Sequence, residues 1–352
     1  MNLLDLSSLS IWAAHGPCLP GISSYRNGRW VHGDEALHHC RLDPQSTILD
    51  VWENLSLEPL SPSGGMRHRA DLAVAQLQEL HLDSSSEWCV AVPMGWTKSV
   101  VQIFLGVAQE CGLSITGCFP RALLIADQEI AQSDEATVLE WGWKTLSVGK
   151  VTCSNEEWKI SETEEIADAG LIPCFRRESK MAASWMLDQH RVDPLHSGTT
   201  EQDLFMSWWK WHSGQAPTWG GQVNSVQCIL SEKQDDLQEL HRPLWKNHGI
   251  ENKATVVASA ACTHLSGCEQ WVSESCLQLP DLERLNLEEG KGPRWRQGLK
   301  AGAGNAKQEK RITHVVVDGI AEPAPSSLKA GPGDSVTLPD GRDGLAIFVP
   351  ES

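Results

Sequence analysis

The sequence is short of positive charge and contains no long apolar run. Its 29 Lys and Arg residues are outnumbered by 46 Asp and Glu residues, which gives a formal net charge of −17. This balance argues against nucleic-acid binding and against docking on anionic lipid, because both need clustered basic side chains. The most apolar stretch, Val100 to Ala108, is interrupted by Gln102 and Gly106. The sequence therefore predicts no membrane insertion.

The cysteines lack the spacing of a metal site or of a disulfide framework. Eleven cysteines are scattered along the chain, and the best metal-like group is Cys262, His264 and Cys268, with Cys276 beyond it. Structural zinc sites repeat a pair of closely spaced cysteines, which this group does not do. No basic, apolar leader opens the sequence, since an acid stands at Asp5. We expect reduced, mostly buried thiols, no metal ligands and a cytoplasmic location.

Tryptophan dominates the aromatic residues, with 16 Trp against five Phe and a single Tyr. The densest cluster is Trp208, Trp209 and Trp211, inside a stretch near 163–215 whose composition is helical. Two interpretations stay open for this cluster. The indoles pack a core, or they form a binding face, because Trp is enriched at the energetic centres of interfaces.

The order of the predicted elements indicates an α/β protein with a small β segment at its end. Asn27-Gly28 between strand-like residues is typical of a hairpin. Residues 285–310 are rich in Gly, Lys, Glu and Asn, which predicts a linker, and residues 311–352 read as short strands and turns. The remaining predictions are helices over 68–80, 99–112 and 121–132 and near Trp271, and strands over 88–93, 113–119, 136–151 and 225–230.

Several short motifs give the chain a resemblance to a known family. They are the segment Trp88 to Ser99 with its Val-Pro pair, Cys111 to Thr116, Phe119 to Ala126, and Gly28 to Ala36. Together with the order of the predicted strands and helices, these motifs resemble the nucleotide-binding domain of the heat-shock protein 70 (DnaK-type) chaperones, which belong to the actin-like ATPase superfamily. The resemblance implies a two-lobed actin-like fold. Its first lobe would be residues 1–135, and its second would be 136–284 with a shortened, Trp-rich helical insertion near 163–215.

The residues that grip phosphate in that family are largely replaced. Its first glycine loop aligns with Asp5-Leu6-Ser7-Ser8 and its second with Glu140-Trp141-Gly142-Trp143-Lys144-Thr145. Its third loop aligns with Leu230 to Gln234, which has no glycine. Its phosphate-contacting lysine would lie near Val51 to Asn54, where no Lys occurs, and its glutamate aligns with Phe119. Glycine lets backbone amides approach phosphate closely. If nucleotide binding is retained, the resemblance implies that Asp5, Ser7, Ser8, Glu140, Gly142 and Thr145 contact it.

These losses predict a pseudo-ATPase that acts through protein–protein contacts, in a chaperone-like or regulatory role. No catalytic residue is assigned and no cofactor is expected, with ATP or ADP and Mg²⁺ as ligands only if the degenerate site still binds them. Its partner would be a protein or a client chain, which the final β segment could bind by strand addition. Two alternatives stay open: a divergent but active ATP-dependent chaperone, and an actin-like adaptor of a division or pilus assembly.

Overall fold

The computed structural model is a mixed α/β structure that divides into two compact units, residues 1–301 and residues 302–352. It describes residues 2–13, 18–60, 64–129, 134–155, 157–213, 215–216, 218–223, 226–229, 239–241, 243, 246–248, 256–259, 270–272, 294–295, 298–300, 314–317, 320–323, 335–337 and 343–347.

The strands of the first unit follow one another as β1 (Asn2–Leu6), β2 (Ser10–Ala13), β3 (Cys18–Pro20), β4 (Ser23–Arg26), β5 (Arg29–His32), β6 (Thr47–Ile48), β7 (Glu87–Val92), β8 (Ser114–Pro120), β9 (Glu135–Trp141), β10 (Leu146–Ser154), β11 (Glu157–Ile166), β12 (Gly220–Val223), β13 (Val226–Ile229), β14 (Val256–Ser259), β15 (Gln270–Val272), β16 (Arg294–Trp295) and β17 (Gly298–Lys300). Its helices are α1 (Gly33–Leu37), α2 (Arg69–Glu79), α3 (Lys98–Glu110), α4 (Arg121–Glu129), α5 (Leu171–His190) and α6 (Gly198–His212), with a 3₁₀ turn at Pro44–Ser46.

Two six-stranded sheets of this unit repeat one strand arrangement. The first sheet has the order β3-β2-β1-β7-β8-β16, and the second has the order β11-β10-β9-β14-β15 with β17 added beside β11. In each sheet three consecutive strands are antiparallel, and two later strands then add in parallel beside the first of the three. The carboxyl ends of β1, β7 and β8 therefore lie at one edge of the first sheet.

Helix α4 fills the space between the two sheets. Its residues Ala122 to Ala126 are fully buried, and they share one apolar cluster with Phe119 of the first sheet and Val138 of the second. Two further clusters complete the core. One packs α2 and α3 on the first sheet, and the other packs α5 and α6 on the second.

Local sequence signals explain several element boundaries. Asn27 and Gly28 have φ values of 50° and 81°, so they form the predicted tight turn between β4 and β5. The hydroxyl of Thr97 accepts the amide of Val100 at 3.4 Å and caps α3. Gly112, with φ of 72°, follows the end of the same helix.

The structure differs from the sequence-based prediction at three places. A helix was expected near Trp271, but this residue lies in β15, which pairs in parallel with β14. Residues 163–166 extend β11 before the predicted helices begin. Residues 294–300 fall in the predicted linker, yet they supply β16 beside β8 and β17 beside β11. Leu299 is fully buried, which explains why this piece is ordered against the sheets.

The described residues of the second unit form a four-stranded antiparallel sheet, in the segment where short strands are predicted. Its strands are β18 (His314–Val317), β19 (Ile320–Pro323), β20 (Ser335–Thr337) and β21 (Asp343–Ile347). They have the order β19-β18-β21-β20. Within the described part of this unit, β19 and β20 are the edge strands.

Candidate functional site

The predicted acid of the first loop is buried in an ion pair. Asp5 is 4% exposed, and one of its oxygens accepts a hydrogen bond from Nε of Arg121 at 2.7 Å. Asp5 lies near the end of β1, and Arg121 follows Pro120, the last residue of β8. Parallel pairing through β7 brings these two strand ends together. Burial raises the pKa of Asp5, and the Arg121 guanidinium opposes that rise.

The serines that replace glycine close the first loop on itself. The Ser7 hydroxyl accepts the amides of Leu9 at 3.2 Å and of Ser10 at 2.9 Å, and the Ser7 amide donates to the Ser10 carbonyl at 2.9 Å. Ser8 is half-buried at the turn. The amides of Leu9 and Ser10 therefore already have a hydrogen-bond acceptor in the Ser7 hydroxyl.

Glu140 connects the second sheet to the first. It is 6% exposed at the end of β9, and its Oε2 accepts the amide of Met94 at 2.8 Å. Met94 follows the end of β7, so this contact lies at the same edge of the first sheet as the Asp5–Arg121 pair. The predicted residues Asp5 and Glu140 thus meet different partners.

The second loop, by contrast, surrounds a carboxylate from elsewhere in the chain. The amides of Lys144 and Thr145 donate to Glu53 at 3.2 and 2.8 Å, and the Thr145 hydroxyl donates to the same side chain at 2.5 Å. The Gly142 amide donates to the Thr145 carbonyl at 2.8 Å and closes the turn. We call residues 142–145 the acceptor turn, because it receives the Glu53 side chain.

The absence of a side chain at Gly142 leaves room for this carboxylate to approach the turn. A Cβ atom placed on Gly142 would lie 2.8 Å from Cδ of Glu53 and 2.9 Å from its Oε1. Such distances are too short for any side chain, so the carboxylate would have to move. Gly142 and Thr145 of the predicted set therefore do converge on one group, and that group is Glu53.

A second acidic side chain near Glu53, that of Asp50, forms ion pairs with basic side chains. Asp50 is 3% exposed and accepts Nζ of Lys144 at 2.9 Å and the guanidinium of Arg69 at 3.1 Å. Burial opposes ionisation of Asp50, but these cations and the Asn54 amide outweigh it and lower its pKa. Burial raises the pKa of Glu53; its hydrogen bonds from Thr145 and Lys144 oppose that rise, and the Asp50 charge adds to it.

The tryptophans of the second loop and of the helical insertion form one core. Trp141, Trp143, Trp208 and Trp211 are at most 2% exposed and belong to the same apolar cluster. Trp209 is partly buried, and its ring stacks on Trp143 with centroids 5.3 Å apart. This placement favours the packing interpretation for Trp208 and Trp211, whose indoles do not reach the surface.

The core of the helical insertion also contains a buried acid. Glu178 of α5 accepts Nε1 of Trp208 and Nε2 of His241, both at 2.7 Å, and lies 3.5 Å from Nε2 of His212. Burial alone would raise the pKa of Glu178, but the hydrogen bonds and charges of His212 and His241 lower it to about 2. The whole cluster is closed to solvent, so it stabilises the insertion and offers no access to a substrate.

Other candidate ligands do not gather. His38 is exposed and bonds the Asp34 carbonyl, while Cys40 is buried. Among the residues that the structure describes, no three His, Cys, Asp or Glu side chains are grouped to hold a metal ion. Three sequence candidates lie outside the described residues: the third loop at 230–234, the Cys262–Cys268 group, and Cys276.

Sequence reasoning missed the residues that occupy the two loops. Glu53 stands in the segment where a lysine was expected, and Arg121 stands two residues after the position of the expected glutamate, Phe119. Each has the opposite charge to the residue that the resemblance implies nearby. Searching the sequence for gained charges, as well as for lost glycines, would have found them.

The comparisons with known proteins assign no relative. No protein-family model matches this sequence, and no curated protein matches it either. Along the described part of the chain, no helix has both the length and the apolar character needed to cross a bilayer.

Proposed function

We propose that this chain is a non-catalytic protein of the heat-shock-70 and actin-like superfamily that acts through contacts with other proteins. The repeated strand order of the two sheets supports the superfamily assignment, because a two-lobed fold of this kind needs two similar halves. Function depends on the site rather than the fold, and the content of the two loops carries the functional part of the proposal.

One observation carries it: the charges that a magnesium nucleotide would need are already paired within the chain. A cation near Asp5 would meet the Arg121 guanidinium, which lies 2.7 Å from the carboxylate. A phosphate at the acceptor turn would meet the Glu53 carboxylate, which takes the Thr145 amide and hydroxyl. Like charges repel strongly at the buried Asp5–Arg121 pair, and they repel less strongly at the half-buried Glu53. These residues do not fit a magnesium nucleotide, and the electrostatic support for phosphoryl transfer is missing.

Calorimetric titration of the full chain with ATP and with ADP, each with Mg²⁺, tests the proposal. We expect no saturable heat and no release of phosphate above the uncatalysed rate. A working ATPase of the superfamily, measured alongside, establishes the sensitivity of both assays. Tight binding with turnover would instead establish the divergent, active chaperone ATPase.

The proposed partner contact lies on the second unit rather than on the tryptophan cluster. Its edge strands β19 and β20 offer backbone groups for an added strand, whereas Trp208 and Trp211 are buried. Proline at Val336 puts a residue without a backbone donor on the edge strand β20, and proline on an edge hinders the addition of a further strand. We expect Val336→Pro to weaken capture of a co-purifying partner at least tenfold and to leave the nucleotide titrations unchanged. Equal capture by both proteins would reject this face.

A further inference from the structure

The acceptor turn is built as a receptor for a carboxylate. Three donors converge on Glu53: the amide of Lys144 on Oε2, and the amide and hydroxyl of Thr145 on Oε1. Both oxygens of a planar carboxylate are therefore engaged. Backbone amides that point into one concavity form a recurrent anion site in proteins.

The turn keeps its shape without help from its ligand. Its carbonyls at Gly142, Trp143 and Lys144 accept the amides of Leu171, Ile172 and Gly170 at 2.9, 2.9 and 3.1 Å. These three amides belong to the start of α5 and the residue before it. The carbonyl side of the turn is thus fixed on a 20-residue helix, while its amide side faces Glu53.

The adjacent positive charge belongs to a separate pair. Lys144 extends its ammonium group to Asp50, and its side chain is 52% exposed. Asp50 is held in turn by Arg69 and Asn54. Removal of Glu53 therefore takes away the ligand of the turn and leaves the Asp50 pairs in place.

We propose that the acceptor turn is a carboxylate-binding site whose resident ligand is the tethered side chain of Glu53, and that a free carboxylate binds there when this side chain is absent. This inference rests on the proposed function in one respect: it requires that no nucleotide phosphate occupies the acceptor turn. Because Glu53 is tethered, its effective concentration is high, and a dilute free carboxylate does not displace it from the native chain.

Chemical rescue of Glu53→Ala by formate tests the proposal. The carbon and two oxygens of formate correspond to Cδ, Oε1 and Oε2 of the lost side chain. The measurement is the thermal midpoint of the full chain in sodium formate, with sodium chloride at equal ionic strength as the reference. Since a bound ligand stabilises the folded state, we expect roughly 0.5 M formate to raise the midpoint of the variant by about 2 °C above chloride. The native chain should show no such difference.

Two matched variants complete the test. Glu58→Ala removes an exposed carboxylate five residues away and should respond to formate like the native chain. Adding Thr145→Val to Glu53→Ala removes the hydroxyl donor and should abolish the rescue. The proposal is overturned if formate does no more than chloride for folded Glu53→Ala, if Glu58→Ala is rescued equally, or if inorganic phosphate stabilises Glu53→Ala while formate does not. Nucleotide binding by the native chain is measured in a separate titration. Failure of the proposed function can therefore be told apart from failure of the carboxylate-site proposal.

Discussion

Glu53 and Glu178 accept the same number of hydrogen bonds and differ in what donates them. Glu178 meets two imidazoles and an indole inside the helical insertion, and its pKa is lowered to about 2. Glu53 meets two backbone amides and a hydroxyl, with the Asp50 charge nearby, and its pKa is raised. Cationic partners compensate for the lost hydration of a carboxylate, whereas neutral donors do so only in part. The comparison separates a carboxyl group whose surroundings favour its ionisation, Glu178, from one whose surroundings oppose it, Glu53.

Neutralising Glu178 should have the largest effect on this comparison. We expect Glu178→Gln to lower the free energy of unfolding by about 3 kcal/mol, because it leaves the imidazoles without their buried counter-charge. The measurement is the shift of the urea midpoint at unchanged slope. Glu164→Gln is the matched control, since Glu164 also contacts a histidine, His248 at 2.8 Å, but is 55% exposed. A control change above about 0.5 kcal/mol would contradict the role of burial.

Truncating Glu53 should have a smaller effect. We expect Glu53→Ala to destabilise the chain by about 1–2 kcal/mol, because the amides and hydroxyl of the acceptor turn lose their acceptor but regain water. Thermal or urea unfolding measures the loss, with Glu58→Ala as the exposed control. A double-mutant cycle with Thr145→Val should show coupling between the two positions. Additive effects would mean that the Thr145 hydroxyl does not depend on Glu53.

The contributions of Glu53 and Glu178 to stability should change with pH in opposite directions. For Glu53 this is the smallest of the expected effects. A raised pKa means that the folded chain binds the proton more tightly than the unfolded chain. The contribution of Glu53 to the free energy of unfolding is therefore fully present below its ordinary pKa of 4.5. It is lost as the pH rises through the raised pKa of the folded chain. Relative to Glu53→Gln, the native chain should gain stability on acidification from neutral pH.

Glu178 provides the opposite slope. Its lowered pKa means that its stability is complete above 4.5 and is lost as the pH falls toward about 2. The advantage of the native chain over Glu178→Gln should therefore shrink in that window. Urea midpoints of the three proteins at several pH values measure both slopes. Parallel slopes would contradict the distinction between the two carboxylates.

Local patterns predicted most elements, because their causes are local. The Asn27-Gly28 turn, the strand that stops before Pro93 and the helix that stops before Gly112 each depend on neighbouring residues. The strand at Trp271 was missed because its parallel pairing with β14 is the cause, and parallel pairing leaves little local pattern. Which residues share a site was harder still. Glu53 and Thr145 are separated by 92 positions, so only the fold brings them together.

Residues 294–300 have a consequence for biosynthesis. This segment supplies an edge strand to each six-stranded sheet. A chain emerging from the ribosome cannot complete either sheet until this segment has been made, although β1 emerged almost 300 residues earlier. Pairings of such separation are slow to form. Until then the nascent chain leaves the backbone edges of β8 and β11 without these partner strands, and such open edges favour aggregation.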